Sequence, residues 1–206
     1  IEKIKSASPD IIVSTGDMVD GKLNHDETSV TLNPLAAILS GLSAPYGKFG
    51  VVGNHEVYAG VEQSTSFTNA SGFKMLRNER VETENCITIA GVDDLAVNVN
   101  NNYNPRTETE LLNSLSKKRF NILLKHRPDI VPSSDALFDL QLSGHVHGGQ
   151  IFPFNFIVKL KHAIPCGTTT TKRDSIIYVS RGTGTWGPPM RLFAPPELTI
   201  IDIVKQ

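Results

Sequence analysis

The residues best suited to chemistry in this chain fall in three short phrases: Ser14-Thr15-Gly16-Asp17-Met18-Val19-Asp20, Val52-Gly53-Asn54-His55-Glu56 and Ser143-Gly144-His145-Val146-His147-Gly148-Gly149-Gln150. Each follows a β-like apolar run, so carboxylate, amide and imidazole groups are delivered at strand ends. Of the six histidines, four (His55, His126, His145 and His147) end such runs or follow a glycine that does. Any one of them alone reads as a hydrogen-bonded or surface histidine. The set, in step with Asp17 and Asn54, reads as a metal centre. Imidazole, carboxylate and amide oxygen without thiolate suit divalent ions such as Mn, Fe or Zn and disfavour a cysteine-rich structural zinc. A carboxylate can bridge two cations about 3.5–4 Å apart, and such a pair clamps the attacking and leaving oxygens of an in-line displacement at phosphorus. Asp17 is placed to bridge, Asn54 adds a neutral oxygen, and Gly53 lets the backbone approach closely. His145 and His147 would share a face of a strict strand, but on a strand-end turn they can splay towards different ions.

These phrases need elements to hold them. Pro9 to Ser14 reads as a short buried strand ending at the Gly16 turn, and a polar loop follows over 21–31. Apolar residues at helical spacing predict a helix over 32–44, with Pro34 tolerated in its first turn. Strands are predicted at 48–53, 74–76, 81–83 and 86–92, with weak helical character over 58–71. The Asn-rich stretch 98–105 reads as an exposed loop. Thr107 with Glu110 has capping-box spacing and opens a helix to about Lys117. Phe120 to His126, Leu140 to Gly144, Ile176 to Ser180 and Leu198 to Val204 complete the strands. Helices and strands alternate early and strands dominate late, which predicts an α/β layered sandwich of mixed β-sheets flanked by helices.

With 206 residues and 39% hydrophobic content, the chain is read as one domain spanning 1–206. Twenty basic against twenty-one acidic side chains give a net charge of -1, which offers no nucleic-acid-binding footprint. No apolar run approaches the roughly 20 residues that span a bilayer. Cys86 and Cys166 belong to no Cys-x-x-Cys pair. They read as buried single thiols, with a disulfide between them left open.

The three phrases, in this order, resemble the calcineurin-like metallophosphoesterases, and the Gly148-Gly149-Gln150 tail is similar to that of the bacterial membrane-associated phosphoesterases. Ser180-Arg181-Gly182-Thr183-Gly184, Pro189-Met190-Arg191-Leu192-Phe193 and Pro196-Glu197 extend the likeness over most of the chain. The resemblance implies a dinuclear site. Asp17 bridges both ions, Asn54, His126 and His145 complete the second, and His147 belongs to the first. His55 is then a catalytic residue that faces the phosphate and protonates the leaving oxygen, in an attack by metal-activated hydroxide. Glu56 either orients an imidazole or is solvated. Arg181 and Arg191 are read as structural salt-bridge partners, with a phosphate contact as the alternative, and His25 and His162 as surface residues.

The family's Asp-x-His motif, which ends its first strand and supplies further ligands to the first ion, does not occur before Gly16. The chain is therefore expected to be truncated at its N-terminus and to lack the first strand, leaving a gap in one sheet. It is expected to bind one ion at best where the complete protein binds two. The implied activity is hydrolysis of phosphodiesters or lipid-linked phosphates. The alternative is a catalytically impaired binding or regulatory module retaining one metal site, and a structural metal protein is the weakest reading. Relatives with this tail imply membrane association through a missing N-terminal segment, with a cytoplasmic protein as the alternative.

Overall fold

The computed structural model describes residues 1–21, 33–98, 105–162 and 164–204. Its strands form two sheets. β1 (Ile12–Ser14), β2 (Lys48–Gly50) and β3 (Lys74–Met75) make a short parallel sheet in the order β1-β2-β3. β4 (Glu79–Glu82), β5 (Ile87–Gly91), β6 (Phe120–Leu124), β7 (Leu140–Ser143), β8 (Gly167–Thr170) and β9 (Ile176–Val179) make the second, in the order β4-β5-β6-β7-β9-β8. Its four inner strands are mutually parallel, and the edge strands β4 and β8 are antiparallel. Parallel strands in such a sheet are covered on both faces, and β5 is buried at every position.

Strand alternation splits the core into layers. Ile89, Leu124 and Leu142 point inward with Phe49, Val51 and Leu76 of the first sheet. Their neighbours Ala90 and Leu123 point outward, to Leu112 and Leu115 beside α5 (Pro105–Asn113). Val19, Ala36, Ala59 and Phe67 pack together around α2 (Pro34–Ser40), α3 (Asn54–Ala59) and α4 (Val61–Ala70). Each fully buried Leu or Ile contributes roughly 1.5–3 kcal/mol to such a core. The result is the expected helix–sheet–sheet–helix sandwich. α1 (Glu2–Ala7) contributes no buried residue to it.

Several expectations are corrected. Leu198 to Val204 forms no strand. Among the described residues it pairs with no strand, and its start is held near β9 by hydrogen bonds among Tyr178, Glu197 and Thr199. The helix expected at Thr107 already begins at Pro105, so its capping box is not used, and it ends at Asn113. The weak helical stretch is two helices broken at Gly60. Two elements were not foreseen: β8, and α6 (Phe154–Lys161). Cys86 and Cys166 are both free and exposed, not buried. The predicted loop over 22–31, most of the Asn-rich loop and His25 lie outside the described residues.

Among the described residues β1 pairs on one side only, with β2. Beside its free edge runs a trough of about 440 Å³, lined by Ile12, Val13, Tyr178, Leu198 and Ile201 along its length and by Asp17, His55, His145 and His147 at its head.

Candidate metal centre

Three strand ends meet at one histidine. His126 lies two residues beyond β6, is 1% exposed, and its Nδ1 is 2.7 Å from the carbonyl of Thr15 at the end of β1. A carbonyl only accepts, so this contact puts a proton on Nδ1 and turns Nε2 towards the site. Around that Nε2 stand Asp17 Oδ2, Asn54 Oδ1 and His145 Nδ1, each at 3.1 Å. The ligand atoms of Asp17, His126 and His145 lie within 4.8 Å of one another, and Asn54 adds its amide oxygen. One carboxylate, one amide oxygen and two imidazoles converging on one point fit a divalent ion of the Mn, Fe or Zn kind.

The loops that deliver these groups are tightly constrained. Gly16 has φ +93, and a Cβ there would stand 2.7 Å from His126 Nδ1. A Cβ at Gly53 would strike the Asp17 carboxylate itself. Asp17, His145 and His147 occupy the left-handed region at φ 58, 69 and 50. Such backbone strain in non-glycine residues collects where the surrounding structure overrides local preference.

Glu56 supplies part of that override. Its carboxylate is 0% exposed and accepts hydrogen bonds from the backbone N–H of Gly53 at 2.8 Å, Asp17 at 2.8 Å and Met18 at 2.6 Å. It therefore joins the first two phrases through their main chains. It is neither solvated nor the partner of an imidazole, which corrects both expectations for it. Asp17 Oδ1 accepts the His55 N–H at 3.0 Å and ties the same two loops.

Burial and charge set the protonation states together. Burial alone would raise Asp17, but the hydrogen bond and positive charge of His126 outweigh it and hold the carboxyl below its usual range. Burial alone would lower His126, yet the hydrogen bond and charge of Asp17, with the Thr15 carbonyl, raise it. Burial, then the charges of His126 and Arg127, press His145 down to about 3, so its ring is neutral near pH 7. Burial raises Glu56, and the charge of Asp17 adds to the effect.

His55 sits at the rim. Its Nδ1 is 2.7 Å from Asp20 Oδ1, and its ring meets Tyr58 edge-on at 5.6 Å. Asp20, the second aspartate of the first phrase, thus orients the imidazole. Its place three residues after Asp17 was the available signal, and no role was read from it.

His147 lies in the same trough but outside the converging group. Its Nδ1 is 3.1 Å from Arg191 Nη2, and its carbonyl accepts from Nη1 at 3.4 Å. A guanidinium only donates, so Nδ1 accepts in this contact. Burial, then the Arg191 charge, lowers the His147 pKa. Arg191 otherwise donates to the carbonyls of Arg181, Gly184 and Ala194, so it is not the salt-bridge residue expected. Arg181 is one, with Glu197 at 2.6 Å. His162, expected on the surface, is half-buried with its ring 6.0 Å from that of His145. The Gly148-Gly149-Gln150 tail has a mechanical role: Gln150 accepts from Trp186 N at 2.7 Å and donates to the carbonyls of Trp186 and Pro188, holding that loop beside the site.

Comparison with known proteins bears on this geometry. The family model described as calcineurin-like phosphoesterase matches residues 1–149. An uncharacterized metallophosphoesterase of Aquifex aeolicus is 43% identical over 197 residues, covering 95% of this chain and 73% of that protein. One from Campylobacter jejuni is 36% identical and covers 98% and 53%, and a transmembrane protein with metallophosphoesterase domain from Danio rerio is 30% identical and covers 100% and 48%. The chain thus spans about half the length of several relatives. Among solved structures, Haemophilus influenzae NAD nucleotidase superposes with a TM-score of 0.53 at 18% identity over 88% of this chain and 42% of that one, a likeness of fold. The chain belongs to the calcineurin-like phosphoesterases, hydrolases of phosphoester bonds that use divalent metals.

Proposed function

We propose that this chain, read as a single domain, is the hydrolytic unit of a two-metal phosphoesterase acting on phosphodiesters or lipid-linked phosphates. The observation that carries the reading is the convergence of Asp17, Asn54 and His145 on Nε2 of His126, with Nδ1 anchored on Thr15. Asp17, Asn54, His126 and His145 would hold one ion, and Asp17 and His147 would contribute to a second. When bound, such ions would supply charge neutralisation of the phosphoryl oxygens and acidify a water near pH 7.

The chain's own groups do the rest. The Thr15 carbonyl keeps the His126 lone pair aimed inward, and burial keeps His145 neutral and able to ligate. His55, held at Nδ1 by Asp20, keeps Nε2 for the leaving oxygen and is the general acid. The free edge of β1 and the trough beside it support a further element of this proposal. A further strand seated there would bring additional ligands to the His147 side.

Mn-dependent hydrolysis of an aryl phosphodiester tests this, on the chain and on the chain extended upstream. Activity in the extended form that His55→Ala abolishes supports it. Two tightly bound ions in the 206-residue chain alone would overturn the role given to the added strand. The binding-module reading draws on the Arg191 contact, which engages His147 away from the other ligands. Absence of hydrolysis in both forms, with one ion bound, would favour it.

A further inference from the structure

We propose that the face formed by α6 and the loop over 186–193 docks on the surface of an anionic lipid bilayer. At the helical 3.6 residues per turn, Phe156, Ile157 and Leu160 fall within an outward arc of about 100°, with Lys159 and Lys161 on its two flanks. The polarity of this helix is inverted: Asn155 and Val158 turn inward, while Leu160 is 88% and Phe156 56% exposed. The neighbouring loop continues the surface. The Phe152 ring meets Phe156 at 5.8 Å and Phe193 at 5.7 Å, Ile151 bridges Leu192, and Phe193 is 82% exposed beside Met190 and Trp186. Gln150 holds that loop in place. Contiguous apolar faces of this kind on a folded protein mark an interaction site.

The charge pattern selects the partner. Between Asp139 and Glu197 the sequence has six Lys and Arg and a single acid, Asp174, although the whole chain is close to neutral. Lys159 and Lys161 are exposed at the end of α6, and no acidic side chain lies in 151–162 or 185–194. An apolar arc flanked by lysines suits an interfacial helix, whose long stems lie along acyl chains while their ammonium groups reach lipid phosphates. A symmetric contact between two copies would instead set these lysines against themselves. The face adjoins the metal centre, because Asn155 packs on Gly149 and His162 stands against His145. Docking is independent of the hydrolytic reading. Together, the two make head-group phosphates the esters nearest the site.

Vesicle flotation of the 206-residue chain in chelator, with no hydrolysis measured, tests the docking alone. Phosphatidylcholine vesicles with and without phosphatidylglycerol are the probes. Binding to the mixed vesicles should exceed binding to the neutral ones and weaken with salt. Phe156→Ser with Leu160→Ser should lower it by roughly tenfold or more, and Lys159→Glu with Lys161→Glu should abolish the preference for the anionic lipid. All four positions are exposed, and circular dichroism checks that the variants fold. Failure of the chain to float with either vesicle would overturn the proposal, as would variants that float like the parent. Concentration-dependent dimers that Leu160→Ser dissociates would assign the face to a second copy instead.

Discussion

The two sides of the metal centre are built differently. On one side, Asp17, Asn54, His126 and His145 are locked by a buried carboxylate, a carbonyl and left-handed backbone turns, so four candidate ligands already face one point. On the other, His147 faces a trough and is engaged by Arg191, beside a strand whose outer edge is unpaired among the described residues. A site assembled between two sheets is only as complete as the strands that reach it. The closed side is tied across its strand ends by Glu56 and the Thr15 carbonyl, whereas the open side borders β1, whose outer edge is unpaired among the described residues.

Breaking the closed side should have the largest effect. Glu56→Ala removes the acceptor of three backbone N–H groups, and at about 1–3 kcal/mol for each buried donor left unpaired it should cost several kcal/mol in chemical denaturation. Glu56→Gln, which keeps an acceptor oxygen, should cost distinctly less. Asp17→Asn keeps the shape but removes the charge shared by both sides. Metal titration and hydrolysis should both fall by about 10³-fold, since charge stabilisation of several kcal/mol is lost.

Smaller effects sharpen the contrast. His55→Ala should lower hydrolysis by about 10²–10⁴-fold and Asp20→Asn by about 10–100-fold, with metal affinity at the closed side unchanged in both. The last test is pH. His126 is raised, so below its folded pKa an ion must displace a proton, and affinity should climb by up to about tenfold per pH unit until that pKa is passed. His145, with a pKa of about 3, adds no slope near neutrality. Calorimetry in buffers of different ionisation enthalpy should therefore count about one proton released per ion at the closed side. Two protons would show that His145 is charged in the ion-free protein.

The strand ends that carry the candidate ligands were legible in the sequence. The strands before Gly16, Gly53, His126 and Gly144 are apolar runs that end in turn residues, and the structure brings Asp17, Asn54, His126 and His145 together. Glu56 was not legible, because two of its partners are main-chain groups 39 and 38 residues away, which no spacing reveals. Arg191 was misread for the same reason: its acceptors are carbonyls. Leu198 to Val204 has the composition of a strand, but a strand also needs a neighbour, and composition carries no information about that. α6 was missed because its apolar side faces outward, so it lacks the core-facing stripe by which surface helices are found.

By itself the sequence determined which ligand types exist, the strand ends that carry them, and the layered α/β architecture, since periodicity and turn chemistry act over a few residues. Only the tertiary structure decided that four candidate ligands converge while His147 turns to Arg191, that Glu56 clamps backbone instead of binding water, and that the outer edge of β1 is unpaired among the described residues. Those outcomes depend on distances between segments far apart in the chain, and such distances are set by how whole sheets pack.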